Sequence, residues 1–208
     1  MEKQDIISAL AELRKNEKRK FNQSVDLIVN LMKFDIKKEN VNVVVTIPNA
    51  IKEKSVCAFL EKKSSLVDTV TRLEFDSYKD KKKLKNLAKN YDFFISTAKL
   101  MPAVATNFGR ILGPFGKMPS PQLGIMMDDS ENSIKNMLGK MNNIVKIKTK
   151  EPSIKLTIGK EEMDDEKIAQ NILIVYNAIL NALPRKMEQM KNVMIKFTMT
   201  KPVKIKVR

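Results

Sequence analysis

Phe21-Asn22-Gln23-Ser24-Val25-Asp26-Leu27-Ile28-Val29-Asn30-Leu31 puts Phe21, Val25, Leu27, Val29 and Leu31 mostly on one side of a two-residue period. The alternation and the β-branched residues predict a strand with one buried face. The far end of the chain offers it partners. Residues 145–148 and 154–159 alternate in the same way, and residues 193–199 read as a further strand. Helices to cover the buried face are predicted at both ends. Residues 2–17 carry an apolar stripe of Ile6, Leu10 and Leu13. Residues 164–183 carry Ile168, Ile172, Val175, Ile179 and Leu183, with Asp164-Asp165-Glu166 at the end where a helix dipole favours negative charge.

The chain between these ends has another character. A strand at 42–47 stops at Pro48-Asn49, and a short buried strand follows at 56–60. Next come a helix near 65–71, a weak strand at 72–75 and a basic helix at 79–90 with Leu84 and Leu87 facing inward. An apolar strand at 91–96, a helix over 99–112, an irregular Gly/Pro loop at 113–121 and a helix at 132–141 complete it. Short strands alternating with helices predict a parallel sheet with helices on both faces. The fold class is therefore mixed α+β and α/β. Residues 1–51 and 142–208 form a discontinuous α+β domain from both termini, and residues 52–141 form an inserted Rossmann-like α/β domain. Antiparallel strands with helices on one side leave a sheet face or edge free for a partner.

Composition narrows the function. With 39 Lys+Arg against 24 Asp+Glu, the formal charge is +15, which suits a polyanionic partner. Histidine is absent and Cys57 is the lone cysteine, so Ser–His and Cys–His catalysis and finger-type zinc sites are excluded. Cys57 lies in the apolar run Val56-Cys57-Ala58-Phe59-Leu60 and reads as a core residue in a reducing cytosol. No apolar run approaches the roughly 20 residues of a membrane helix, and the N-terminus lacks a secretory pattern. The 13 methionines are scattered, which suits core filling. The acidic pairs Asp128-Asp129 and Asp164-Asp165 suit helix starts better than acid–base chemistry.

The loop Gly113-Pro114-Phe115-Gly116-Lys117-Met118 is no Walker loop. Counting back from Gly116-Lys117, the first glycine position holds Ile111, and Met118 stands where a hydroxyl must hold Mg²⁺. It reads instead as a rigid loop at a domain joint or an RNA contact, which argues against a nucleotide-dependent enzyme. Basic residues beside strands are the more telling feature. Lys18-Arg19-Lys20-Phe21 sets three cations and a ring at the mouth of the first strand. Lys201, Lys204, Lys206 and Arg208 line an extended tail. Cations hold phosphate, and a ring can pack on sugar or base.

Four segments together resemble one family. Arg19-Lys20-Phe21-Asn22-Gln23-Ser24-Val25-Asp26-Leu27 is similar to K-F-x-[QE]-[ST]-V-[ED]-[LV]. Tyr91-Asp92-Phe93-Phe94-Ile95-Ser96, followed by Leu100-Met101-Pro102, is similar to Y-D-x-F-[IL]-A…L-M-P. Gly109-Arg110-Ile111-Leu112-Gly113-Pro114-Phe115-Gly116-Lys117-Met118-Pro119 resembles G-R-x-L-G-P-[RK]-G-K-M-P, and Lys196-Phe197-Thr198-Met199-Thr200 resembles K-x-T-M-G. These segments, in register over nearly the whole chain, belong to the L-one family of large-subunit ribosomal proteins, in its archaeal or eukaryotic form. The resemblance implies a split α+β domain with a Rossmann-like insertion, and no enzyme, cofactor or metal.

The implied partners are the rRNA stalk of the large subunit, exit-site tRNA and the protein's own mRNA, with no membrane. The implied setting is the cytoplasmic ribosome, with a monomer off it. The implied rRNA-binding positions are Lys20, Phe21, Gln23 and Ser24 in the first strand, Thr198, Met199 and Thr200 at the last turn, and Lys155 in an intervening strand. Arg110, Gly113, Gly116 and Lys117 form a further RNA contact or a hinge loop. Three departures stand out. Thr200 replaces the family glycine, which costs about 1 kcal/mol or more if that turn requires positive φ. Phe115 stands where a basic residue is common, and residues 60–76 are shorter than the family pattern.

Overall fold

The computed structural model describes residues 1–17, 19–35, 39, 41–78, 80–121, 123–149 and 151–206. Lys18, Lys79, Arg208 and most of the expected charged loop at 35–40 lie outside the described residues. The chain forms two compact units, one of Met1–Ile51 with Asn143–Arg208 and one of Lys52–Asn142. In chain order the elements begin with α1 (Lys3–Arg14), β1 (Ser24–Leu31), β2 (Asn42–Thr46), β3 (Val56–Leu60) and β4 (Asp68–Thr71). A 3-10 helix at Arg72–Tyr78 leads to α2 (Lys81–Asn90), β5 (Phe93–Thr97), α3 (Met101–Phe115), β6 (Ile125–Met126) and α4 (Glu131–Asn142). Then come β7 (Ile144–Lys148), β8 (Ser153–Lys160), α5 (Asp165–Ala182), a 3-10 turn at Lys186–Gln189, β9 (Met190–Phe197) and β10 (Val203–Ile205).

The unit built from both termini is a four-stranded antiparallel sheet in the order β10-β9-β1-β8, with a two-stranded ribbon β2-β7. The period-two pattern of β1 explains its central place. Val25, Leu27, Val29 and Leu31 are buried, and Val25 faces Phe197 while Leu27 faces Ile195 across the β9 pairing. Ile6, Leu10 and Leu13 of α1 and Ile168, Ile172, Val175 and Ile179 of α5 join the same core. A buried Leu or Ile contributes about 1.5–3 kcal/mol relative to exposure, so this face decides the strand register. Asp26, Ile28, Lys155, Thr157 and Lys196 line an open depression on the opposite face of the sheet. Hydrogen bonds run across it. Thr157 Oγ1 donates to Asp26 Oδ1 at 2.7 Å, Ser153 Oγ to Asn30 Oδ1 at 2.8 Å, and Asn30 Nδ2 to Asn192 Oδ1 at 2.7 Å.

Two polar ties lock the helices of this unit. Arg14 reaches Asp165 Oδ1 with Nη2 at 2.7 Å and Nε at 2.9 Å, joining the end of α1 to the start of α5. Asn171 is fully buried on α5; it donates to Asn49 O at 3.0 Å and Ile158 O at 3.1 Å and accepts from Asn49 N–H at 3.2 Å. Those bonds match a buried amide's donors and acceptor, so burial carries little penalty.

The unit of Lys52–Asn142 is a parallel sheet in the order β4-β3-β5-β6. All five residues of β3 are buried, as expected of a strand covered on both faces. One face carries an aromatic cluster in which Phe59, Phe75 and Phe94 meet Phe108 of α3 or one another at ring distances of 4.8–5.9 Å. The other face is sealed by Ile134 and Met141 of α4. With the antiparallel sheet of the first unit, this establishes the fold class: a discontinuous α+β unit from both termini and an inserted Rossmann-like α/β unit.

Three local expectations are corrected. The helix near 65–71 is instead a loop and then β4, whose Thr69, Val70 and Thr71 pair parallel with β3. The weak strand at 72–75 is a 3-10 helix, pinned where Glu74 Oε2 accepts the Thr71 N–H at 3.0 Å. The loop at 113–121 begins later than expected, because α3 runs through Gly113-Pro114 to Phe115. Gly116 ends it at φ 69°, donating to Gly113 O at 2.8 Å, while Lys117 N–H reaches Leu112 O at 3.0 Å. This six-to-one closure needs a left-handed residue, and Gly116 provides it.

Candidate nucleic-acid interface

The start of β1 and the end of β9 are 174 residues apart in sequence and adjacent in space. Thr198 N–H donates to Ser24 O at 3.1 Å, and Ser24 N–H donates to Thr198 Oγ1 at 3.1 Å. The threonine side chain thereby extends the strand ladder one step past the last paired residue. Beside it, Met199 N–H donates to Gln23 Oε1 at 3.1 Å. Gln23 is 2% exposed; its Nε2 donates to Glu161 Oε2 at 3.1 Å, and its carbonyl accepts Glu161 N–H at 2.8 Å. One buried amide therefore ties together the entry to β1, the turn after β8 and the turn after β9.

Thr200 closes the turn without left-handed backbone. Among the described residues only Lys33 and Lys186 are non-glycines at positive φ. The Thr200 hydroxyl instead accepts Phe197 N–H at 3.0 Å, and its own N–H donates to Phe197 O at 3.1 Å. The side chain thus replaces the conformational freedom of glycine with a hydrogen bond, and the feared strain does not arise.

Fixing the turn inward pushes its apolar residues outward. Met199 is 62% exposed and Phe21 is 51% exposed, far above the burial usual for such side chains. Lys20 and Arg19 are exposed beside Phe21. An open groove of about 640 Å³ runs between the end of α1 and this turn, lined by Lys15, Arg19, Met199 and Lys201, with Glu12 and Glu17 on its wall. Lysine and arginine can hold phosphates there, and hydroxyls and exposed backbone can meet 2′-OH groups.

The expected site residues separate into groups. Gln23, Ser24, Thr198, Met199 and Thr200 form one bonded cluster, with Lys20 and Phe21 at its approach. Lys155 stands apart on β8 opposite Ile28, five residues from Lys160, which pairs with Ser24, and its Nζ lies 3.4 Å from Glu151. Arg110, Gly113, Gly116 and Lys117 belong to the inserted unit. Arg110 is exposed on α3. Lys117 is turned inward: its Nζ donates to Ala88 O at 2.8 Å and Tyr91 O at 2.7 Å, satisfying carbonyls at the end of α2. Two of its three donors are spent there. Residues 15 and 161 also border the site, and no motif marked them, because they reach it only through the fold; Lys201, marked only as part of the basic tail, borders it too.

Among the described residues no group of three His, Cys, Asp or Glu side chains is placed to hold a metal ion, and no helix is long and apolar enough to cross a membrane. Burial holds the Cys57 thiol up at about 12, with the Asp68 carboxylate adding to the shift.

Residues 13–201 match the model of the ribosomal protein L1p/L10e family. The chain belongs to this family. It is 35% identical over 217 aligned positions to the large ribosomal subunit protein uL1 of Thermococcus kodakarensis, covering 98% of each chain. It is 34% identical to the protein of that name from Archaeoglobus fulgidus, covering 99% of each chain. The corresponding protein of Methanocaldococcus jannaschii is 32% identical, with 99% of this chain and 97% of the relative covered. All three sources are archaeal, in keeping with the archaeal or eukaryotic form of the motifs. The L1 family is structural and non-enzymatic, so the site is read for binding alone.

Proposed function

We propose that this chain is a component of the large ribosomal subunit in the cytoplasm and binds the rRNA of the subunit's stalk. In this reading the turn of Thr198, Met199 and Thr200, with Lys20, Phe21, Gln23 and Ser24, docks on a structured RNA. The observation that carries it is the paired bonding of Ser24 with Thr198, backed by buried Gln23, which holds an exposed Met199 and a basic approach in one fixed shape. A fixed shape suits RNA, whose helices are read mainly by shape, 2′-OH and phosphate. Lys155 and the open sheet face add phosphate contacts along the same sheet. The inserted unit, reached by two crossings of the chain, contacts tRNA at the exit site and assists its release. Off the ribosome the chain is a monomer; the alternative reading is a translational repressor that binds its own mRNA with the same surface outside the ribosome.

The reading is tested by sedimentation. Large subunits lacking the protein are mixed with wild-type chain or with Met199→Ala, and the fraction carried down with the subunit is measured. Wild-type chain should co-sediment at salt concentrations that release it from an unrelated hairpin, and the variant should be lost earlier. Wild-type chain that stays in the supernatant at low salt would sink the ribosomal reading. In vitro translation of the chain's own mRNA, with and without added protein, then decides whether repression occurs.

A further inference from the structure

The parallel sheet of the inserted unit reverses its winding between β3 and β5, with β4 on one side and β6 on the other. At such a reversal the loops at the carboxyl ends of the strands diverge and leave a crevice that suits ligands. Here Glu61 and Lys62 follow β3, Thr97 ends β5 and Lys99 follows it, and Met127 and Asp129 follow β6. Together they line a cavity of about 340 Å³, within the range of small-molecule sites.

Two atoms in this crevice point to an occupant. Thr97 is 3% exposed and its Oγ1 has no hydrogen-bond partner. Asp129 Oδ1 is also buried without a partner, while its other oxygen accepts Glu61 N–H at 3.4 Å. Buried polar atoms are nearly always bonded, and the side chains that carry these two line one cavity, so a bound ligand is one way to complete them.

The surrounding charges define that ligand. The carboxylates of Glu61, Asp129 and neighbouring Asp128 oppose a bare anion. Lys62 and Lys99, which form no ion pair with any described residue, oppose a bare cation. What satisfies both is one molecule carrying a phosphate and N–H donors. Met127, 82% exposed at the rim, offers an apolar surface to a flat ring. The N-terminus of α3 lies just beyond Lys99; Met101 N–H is spent on Ala98 O and Pro102 has none, so the helix end favours phosphate there through its dipole rather than through a nest of free amides. Guanine fits best among the bases: its adjacent N1–H and N2–H groups suit one carboxylate, and its O6 can accept from a hydroxyl.

We propose that this crevice binds a guanosine 5′-phosphate moiety, with the base on Asp129 and Thr97 and the phosphate on Lys62 and Lys99. Two sources share that chemistry, free GMP and an unpaired guanosine within an RNA. The site lies wholly in the inserted unit and goes beyond the rRNA-binding reading, on which it does not depend.

The test is a titration of the isotope-labelled full chain followed by amide resonances. The ligands are GMP, AMP, inorganic phosphate, a short RNA with one unpaired guanosine, and that RNA with adenosine in its place. GMP should give saturable shifts at Thr97, Lys99, Met127 and Asp129, with AMP at least about tenfold weaker and inorganic phosphate silent. Asp129→Asn exchanges an acceptor for a donor. It should weaken GMP about tenfold and strengthen xanthosine 5′-phosphate, whose C2 carbonyl accepts. A merely loosened loop gives no such exchange. Thr97→Val, similar in size, should weaken GMP with the remaining spectrum unchanged. Tighter binding of the guanosine RNA than of GMP assigns the source to RNA, and equal binding assigns it to free nucleotide. The proposal is overturned if GMP gives no saturable shift, if AMP or inorganic phosphate matches it, or if both variants bind GMP like wild type. Thr198→Ala should leave GMP binding untouched, so this site and the rRNA surface fail separately.

Discussion

Gln23 and Thr200 show how much of the proposed RNA surface rests on single side chains. Replacing Gln23 by Ala leaves Met199 N–H and the Glu161 carboxylate without their partner in a site of low exposure. The expected cost is about 1–3 kcal/mol, read from the denaturant midpoint, together with a loss of RNA selectivity. Thr200→Gly restores the residue of the family motif, yet it should destabilise this chain. It removes the acceptor for Phe197 N–H and enlarges the freedom of the unfolded chain, for about 1–2 kcal/mol in all. A more stable glycine variant would show that the turn closes differently. Cys57 bears on pH. Its folded thiol is held near 12, well above the ordinary thiol range, so its contribution to stability is complete below the unfolded value. That contribution fades as pH rises toward 12, because the unfolded chain releases the proton first. Thiol reagents at pH 8 should label Cys57 only after unfolding.

The strands and helices differ in how plainly the sequence announces them. β1 and α5 carry strong periodic patterns over 8 and 18 residues, and the positions those patterns mark within them are buried, while α5 also buries Ala169, Asn171 and Tyr176, which its apolar stripe left out. β4 and the 3-10 helix after it do not. Asp68–Thr71 is an edge strand of four residues with two buried positions, too short for a period, and its pairing with β3 supplies what the local sequence lacks. β6 has two residues and exists through its pairing with β5. The C-terminus of α3 was hidden by Gly113-Pro114, which read as a break but fit the last turn before Gly116. Gly124 exposes the same dependence on neighbours. Its φ is +110°, and a Cβ there would sit 2.7 Å from Phe94 O. Gly124→Ala should destabilise the inserted unit by about 2 kcal/mol or more, with loss of protection at Ser96 N–H, which bonds to Gly124 O. Unchanged thermal unfolding of that variant would contradict the close approach.

For the molecule as a whole, each unit has its own apolar core, and the chain carries a net charge of +15. Charge and the basic stretch at Lys20 were legible from composition and suggest a polyanion. The part of the proposed site expected to be selective was legible only through resemblance, because it forms between residues 23–24 and 198–200, brought together by strand pairing across 174 positions. Lys117, expected in an RNA contact or a hinge loop, spends two of its donors on carbonyls of its own unit, which no local sequence pattern announces. Sequence-independent attraction falls steeply with salt, whereas shape readout at a fixed turn falls less. The most direct measurement is therefore the affinity of the full chain for a stalk RNA fragment and for an unrelated hairpin of equal length, at low and high salt, for wild type and Thr198→Ala. The account predicts that wild type keeps the stalk fragment at high salt and loses the hairpin, and that the variant loses the difference. If both RNAs are bound alike and both are released together by salt, the turn does not read RNA, and the chain is a general polyanion binder.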